Sequence, residues 1–195
     1  MAKELVTEHL LLRPWTTDDA TAALGSYGDQ QVARWLVPAM DRVPDEAAMR
    51  LVLQQWIAED ARTTPPAGRW AVELREDRSL IGGATLLPLA PDDEYEVGWQ
   101  LRPHAWGHGY ATEAARAALA FGFEVRGLSE ILSWTVPANL PSRAVMERIG
   151  MTHDPADDFD HPSIAVGSPL RRHVLYRLSR ERWLAMREAG AKRAR

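Results

Sequence analysis

At 195 residues, with 46% hydrophobic and 26% charged side chains, the chain is expected to form one globular domain, residues 1–195, large enough to bury its own core. It contains no cysteine, which excludes a disulfide framework, a thiolate metal site and a cysteine nucleophile. A formal net charge of -4 argues against a general nucleic-acid binder, and no run of about eighteen apolar residues exists to cross a bilayer. The opening residues mix Lys3, Glu4, Glu8 and Arg13 with short apolar runs and lack the apolar core and cleavage site of a secretory signal, so a cytoplasmic protein is expected.

Leu10, Leu11 and Leu12 before Arg13-Pro14-Trp15 read as a first strand, and Thr17-Asp18-Asp19 as the N-cap and acidic first turn of a helix. A second helix follows Pro44, with Met49, Val52, Leu53 and Trp56 at helical spacing, and breaks at Thr64-Pro65-Pro66-Ala67-Gly68. Trp70, Val72 and Leu74 alternate up to a turn at Glu76-Asp77-Arg78. The extended pattern resumes from Leu80 to Leu89, giving an antiparallel hairpin with a bulge signalled at Gly82-Gly83. In the next strand Tyr95, Val97, Trp99 and Leu101 share one face, and Glu94, Glu96 and Gln100 the other. From Ala111 small and apolar residues recur at helical spacing through Gly122. Ile131–Val136 is a strand ended by Pro137, and Asn139-Leu140-Pro141-Ser142 opens a short helix closed by Gly150. Residues 154–169 read as a long loop, His173–Leu178 as the last strand, and Arg180 onward as a helix fading into a basic tail, loose from about residue 188.

The stretch Leu101–Ala115 joins a strand directly to an alanine-rich helix through two glycines one residue apart. Backbone N–H groups at such a helix start lack intrahelical partners and lie at the positive end of the dipole, so they can bind a phosphate-like anion. A dinucleotide fingerprint would need a third glycine near Thr112 and a direct strand-to-glycine turn, but Pro103–Trp106 intervene; a P-loop would need Gly-Lys-Ser/Thr, which is absent. What remains is a short pyrophosphate cradle or a glycine turn that merely starts the helix. His104 and His108, four apart, also admit a metal reading, but no third ligand is in view and none is expected.

Several ordered stretches resemble the GNAT acetyltransferases, and within them the RimJ/RimL-like group that acetylates α-amino groups and other amines. Residues 5–15, LVTEHLLLRPW, are similar to that group's opening strand, and 96–101, EVGWQL, to its fourth strand. Residues 106–114, WGHGYATEA, resemble its acetyl-CoA loop, and 139–142 with 147–151 the segment after its fifth strand. The chain departs from the wider loop pattern at Trp106, where Gln or Arg is usual.

The resemblance implies an α/β (α+β) GNAT fold: a central, mostly antiparallel mixed sheet of about six to seven strands, flanked by helices and splayed between its fourth and fifth strands. It implies acetyl-CoA as donor, with pantetheine along the fourth strand near Leu101 and Arg102. The pyrophosphate would lie on the N–H groups of Gly107, His108, Gly109, Tyr110, Ala111 and Thr112, and Asn139 would bond the pantetheine amides.

Direct transfer to an amine requires a base for the attacking ammonium and an acid for the departing thiolate. Glu96, on the face opposite the Trp99 stripe, is the candidate base, and Ser142 the candidate acid, which also favours a plain N-cap role. With no cysteine and no evident base beside Ser142, a ternary complex is expected rather than an acyl-enzyme. The acceptor, a protein N-terminus or a small amine, is expected near Trp35 and the acidic loop bearing Asp158 and His161, whose carboxylates would attract an amine. A catalytically silent acyl-CoA sensor is the alternative, and a homodimer is compatible with the sequence without being required by it.

Overall fold

The computed structural model describes residues 3–62, 68–89 and 94–193. Six longer strands carry the sheet: β2 (Leu10–Pro14), β3 (Gly68–Leu74), β4 (Leu80–Leu89), β5 (Glu94–Leu101), β6 (Glu130–Thr135) and β9 (Arg172–Ser179). Three two-residue strands, β1 (Leu5–Val6), β7 (Thr152–His153) and β8 (Phe159–Asp160), raise the described total to nine, above the six to seven expected. Runs this short leave no alternation to read. The order is β1-β2-β3-β4-β5-β6-β9-β7, with β8 on β9, and every pairing is antiparallel except β5 with β6.

Helices cover both faces. On one lie α1 (Ala20–Tyr27) and α3 (Glu46–Arg62), whose Ala20, Ala23, Tyr27, Met49 and Leu53 close over Trp15, Ala71 and Leu80. On the other lies α4 (Tyr110–Ala120), whose Ala114, Ala115, Ala118 and Leu119 are fully buried against Ile81, Leu86 and Val97. Small side chains let that helix lie close to the sheet. The larger aliphatic residues beneath it each contribute about 1.5–3 kcal/mol of burial.

The bulge signalled at Gly82-Gly83 is present: the register steps between Val72 and Glu73, leaving Ile81 as the extra residue. The first helix begins later than expected. Residues 17–19 form a 3-10 turn, held by Thr16 N–H donating to the Asp19 carboxylate at 2.8 Å, and α1 starts at Ala20. A one-turn helix, α2 (Gln30–Ala33), capped by Asp29, carries too little periodicity for sequence reading. The break expected at Thr64–Ala67 lies outside the described residues. α5 (Leu140–Arg148) ends with Gly150 N–H on the Glu147 carbonyl and Met151 N–H on that of Met146, the paired closure expected at Gly150. The tail expected to loosen from about residue 188 instead continues α6 (Arg180–Arg193), a run rich in strong helix formers.

Candidate active site

β1 shifts the count by one, so the fourth and fifth strands of the resemblance are β5 and β6. They pair at a single position, Glu96 with Leu132, and then part. Because they are parallel, both run to the same edge of the sheet. There β5 feeds the 102–109 loop and β6 feeds the turn into α5. The result is a wedge with Glu96 at its apex and two loops at its mouth.

The donor-side loop is built from backbone. Pro103–Ala105 make a 3-10 turn, and Trp106 Nε1 donates to the Leu101 carbonyl at 2.8 Å, pinning the loop to the strand end. Trp106 therefore has a structural task that the usual Gln or Arg would perform differently. Gly107 and Gly109 sit at φ 82 and 84, and a Cβ on either would meet nothing within 4 Å. Their requirement is conformational rather than spatial. Between Trp106, whose N–H meets the Pro103 carbonyl, and Glu113, whose N–H meets the Gly109 carbonyl at 3.0 Å, no backbone N–H finds an acceptor among the described residues. These donors, at the positive end of α4, match what a pyrophosphate needs. His108 stacks on Tyr110 with ring centroids 5.5 Å apart, and His9 fastens the first turn through Glu113, with backbone N–H at 2.8 Å and ring Nδ1 at 3.0 Å.

Arg102, expected beside the pantetheine on the fourth strand, sends its side chain towards α1. Strand parity gives it the face of Glu96 and Gln100, so its guanidinium lies where a Cβ on Gly25 of α1 would be and donates to the Leu80 carbonyl at 3.3 Å. It braces α1 rather than the phosphate loop. Leu101 is 5% exposed, so only its backbone borders the wedge.

At the apex, Glu96 is half-buried and has no hydrogen-bond or ion-pair partner among the described residues. Burial alone pushes its carboxyl up to about 8. On the same face Gln100 Oε1 accepts a hydrogen bond from the Tyr27 hydroxyl at 3.4 Å, placing α1 beside the apex. Asn139 caps α5, its Oδ1 accepting from Ser142 N–H at 3.4 Å and its Nδ2 donating to Thr135 Oγ1 at 3.0 Å. One lone pair and one N–H of that amide remain for a ligand. The Ser142 hydroxyl has no partner among the described residues. No hydrogen bond joins Ser142 to Glu96: the two stand on different walls of the wedge.

The acceptor side departs most from expectation. Trp35 lies under the Arg34 guanidinium, 4.4 Å from ring centre to Cζ. Asp158, expected as a lure for an amine, accepts from His153 Nε2 at 2.7 Å and Leu175 N–H at 3.4 Å, with its side chain 13% exposed. Asp157 is paired with Arg177 at 2.8 Å and Asp160 with Arg171 at 3.2 Å. The arginines of and just before β9 consume the charge that the loop sequence displays. The backbone N–H of His161 donates to the Arg171 carbonyl at 2.8 Å.

Sequence reading did not single out Tyr27, Trp134 or His173. Parity along β9 could have grouped His173 with Leu175 and Arg177, but only the cross-strand register shows that this group shares Glu96's face. A cavity of about 920 Å³ lies outside the wedge, between residues 3–9 and the outer side of α4; it reaches His108, Gly109 and Thr112 but not Glu96, Asn139 or Ser142. Among the described residues no three His, Cys, Asp or Glu side chains gather as metal ligands, and no helix is long and apolar enough to cross a membrane.

An array of open N–H groups at the mouth and an unpartnered carboxyl at the apex are groups that an acyltransferase with a phosphate-bearing donor would call on. The Acetyltransferase (GNAT) domain model matches residues 9–152, and the chain belongs to that family, as an acetyl-CoA-dependent acyltransferase with RimJ/RimL-like relatives. It is 30% identical over 177 residues to the FsC-acetyl coenzyme A-N(2)-transacetylase of Aspergillus fumigatus, covering 86% of this chain and 72% of that protein. The crystal structure of a GNAT-family acetyltransferase from Bacillus anthracis superimposes with a TM-score of 0.76 at 27% identity, covering 92% of this chain and 99% of that one. The ribosomal-protein-S5-alanine acetyltransferase of Vibrio fischeri shares the fold, with a TM-score of 0.74 at 17% identity over 93% and 98% of the two chains.

Proposed function

We propose that the chain transfers an acetyl group from acetyl-CoA directly to a primary amine, both substrates being bound together in the wedge. The observation that carries this reading is Glu96: a carboxyl without a protein partner, at the one point where β5 and β6 still pair, with its titration moved to about 8. A general base works best when its pKa lies near the working pH, and burial has moved this one there.

The donor supplies the reactive thioester. Glu96 takes a proton from the attacking amine on the face shared with α1, and the Ser142 hydroxyl gives one to the departing sulfur from the other wall. The N–H groups of 107–112 hold the pyrophosphate, and Asn139 orients the pantetheine with the amide valences its cap leaves free. Two acceptor classes fit this reading, a protein N-terminus and a small-molecule amine, and both present the same nucleophile to Glu96.

Initial rates over a grid of acetyl-CoA and amine concentrations test the proposal, with N-terminal peptides, polyamines, aminoglycosides and aminoacyl compounds as acceptors. Intersecting double-reciprocal lines are expected. Parallel lines would mean an acyl-enzyme, and no turnover with any amine would mean that the wedge binds a donor without using it.

A further inference from the structure

The face of the sheet that carries Glu96 extends beyond the wedge. Bridge partners point to the same side, so Glu96 shares a face with Leu132; along β6 and across to β9, Trp134, Leu175 and His173 follow on it. The 154–171 loop covers this half. Phe159 stacks on His173 with centroids 5.4 Å apart and meets Trp134 edge-on at 5.9 Å, and β8 pairs with the start of β9 at Phe159–His173. His161 stands beside His173, their ring centroids 5.3 Å apart, and no hydrogen bond joins the two rings.

Each ring's proton is fixed by a backbone partner. A carbonyl only accepts, so the contact of His173 Nδ1 with the Arg171 carbonyl at 3.1 Å places a hydrogen on Nδ1. Burial holds His173 below the usual histidine range; the Arg171 contact opposes this and His161 adds to it. The ring is therefore neutral near pH 7, leaving Nε2 as an acceptor. An N–H only donates, so Ser163 N–H on His161 Nδ1 at 3.3 Å leaves the His161 hydrogen on Nε2. A free donor and a free acceptor stand side by side in an aromatic frame. In an extended peptide the N–H and C=O of one residue point the same way and are complementary to that pair: the C=O to His161, the N–H to His173.

We infer that His161 and His173 form a second acceptor position that grips the backbone N–H and C=O of one residue of an extended peptide substrate. The inference rests on the acetyl-transfer reading and selects its peptide branch. Two strand spacings and four residues of strand put His173 about 16 Å from Glu96, Cα to Cα. That is roughly four to five extended residues beyond the amine. A substrate shorter than this cannot reach both positions.

The test compares an N-terminal hexapeptide with a dipeptide amide as acceptors for the full-length protein, its His161→Ala and His161→Gln variants, and His173→Phe, which keeps the ring stack. Calorimetry with CoA confirms in each that the donor site is intact. For the hexapeptide, His161→Ala and His173→Phe are expected to raise KM about tenfold with kcat within about twofold, and His161→Gln, which restores a donor, to recover most of the loss. The dipeptide KM should not change. An unchanged hexapeptide KM, or an equal rise for both peptides, would overturn the second position. A wild-type protein that acetylates small amines and never a peptide would overturn this inference alone, and one that acetylates no amine would overturn the acetyl-transfer reading with it.

Discussion

The donor side and the acceptor side of this molecule are made of different material. The proposed donor loop, between Trp106 and Glu113, presents backbone N–H groups that find no acceptor among the described residues, held open by two left-handed glycines. On the acceptor side nearly every charge is already spent: Asp157, Asp158 and Asp160 on Arg177, His153 and Arg171, and the Arg102 guanidinium on α1. A backbone site announces itself by unfilled valences and by glycines. A side-chain site is known only once its neighbours are, because a carboxylate counts toward binding only if nothing in the protein has taken it. Glu96 meets that condition.

The comparison breaks most readily at Glu96. Glu96→Gln should lower kcat/KM by about a hundredfold or more, the range for a lost general base, and leave CoA affinity unchanged by calorimetry. Its stability should move the other way. The carboxyl is protonated in both folded and unfolded chains below pH 4.5; between 4.5 and about 8 only the unfolded chain releases the proton, so the native protein loses stability as pH rises through that window. Glu96→Gln should therefore be more stable than the parent by about 1–3 kcal/mol at pH 8, with the gap closing at pH 4 in chemical-denaturation curves.

Ser142→Ala should lower kcat by about ten- to a hundredfold, less than the base, because a thiolate departs with modest help; rates no different from the parent would leave the Ser142 hydroxyl without a part in the transfer. Gly109→Val should weaken CoA binding about tenfold. A β-branched residue is strained at φ 84 and distorts the N–H array, although nothing blocks its side chain. The smallest effect is expected on the acceptor side. Asp157→Asn and Asp160→Asn should leave KM for the amine within about twofold, since surface pairs with arginine contribute little. A large rise would restore the acidic loop as an amine lure.

The same contrast explains what was legible in the sequence. The longer strands, the helices α3 to α5, the bulge at Gly82-Gly83 and the glycine turn into α4 rest on local alternation, helical spacing and glycine placement, and their positions follow the pattern. The one-turn α2 and the two-residue strands have no period to show. The surroundings of Arg102 and Asp158 were illegible for one reason: each is a charged residue next to a candidate site in sequence, and its partner, the Leu80 carbonyl or His153, is decided by strand parity and long-range packing. The kinship of Glu96 and His173 needed the register of three strands, of which the sequence displays only the parity.

In the proposed reaction Glu96, half-buried and without a partner among the described residues, is a carboxyl held ready as a base. Carbon-13 NMR titration of the Glu96 side-chain carboxyl in the free protein, assigned by its loss in Glu96→Gln, tests it without interference from the acceptor's own ionisation. A midpoint near 8 is predicted. A midpoint near 4.5 would mean an ordinary solvated carboxylate and would contradict the account.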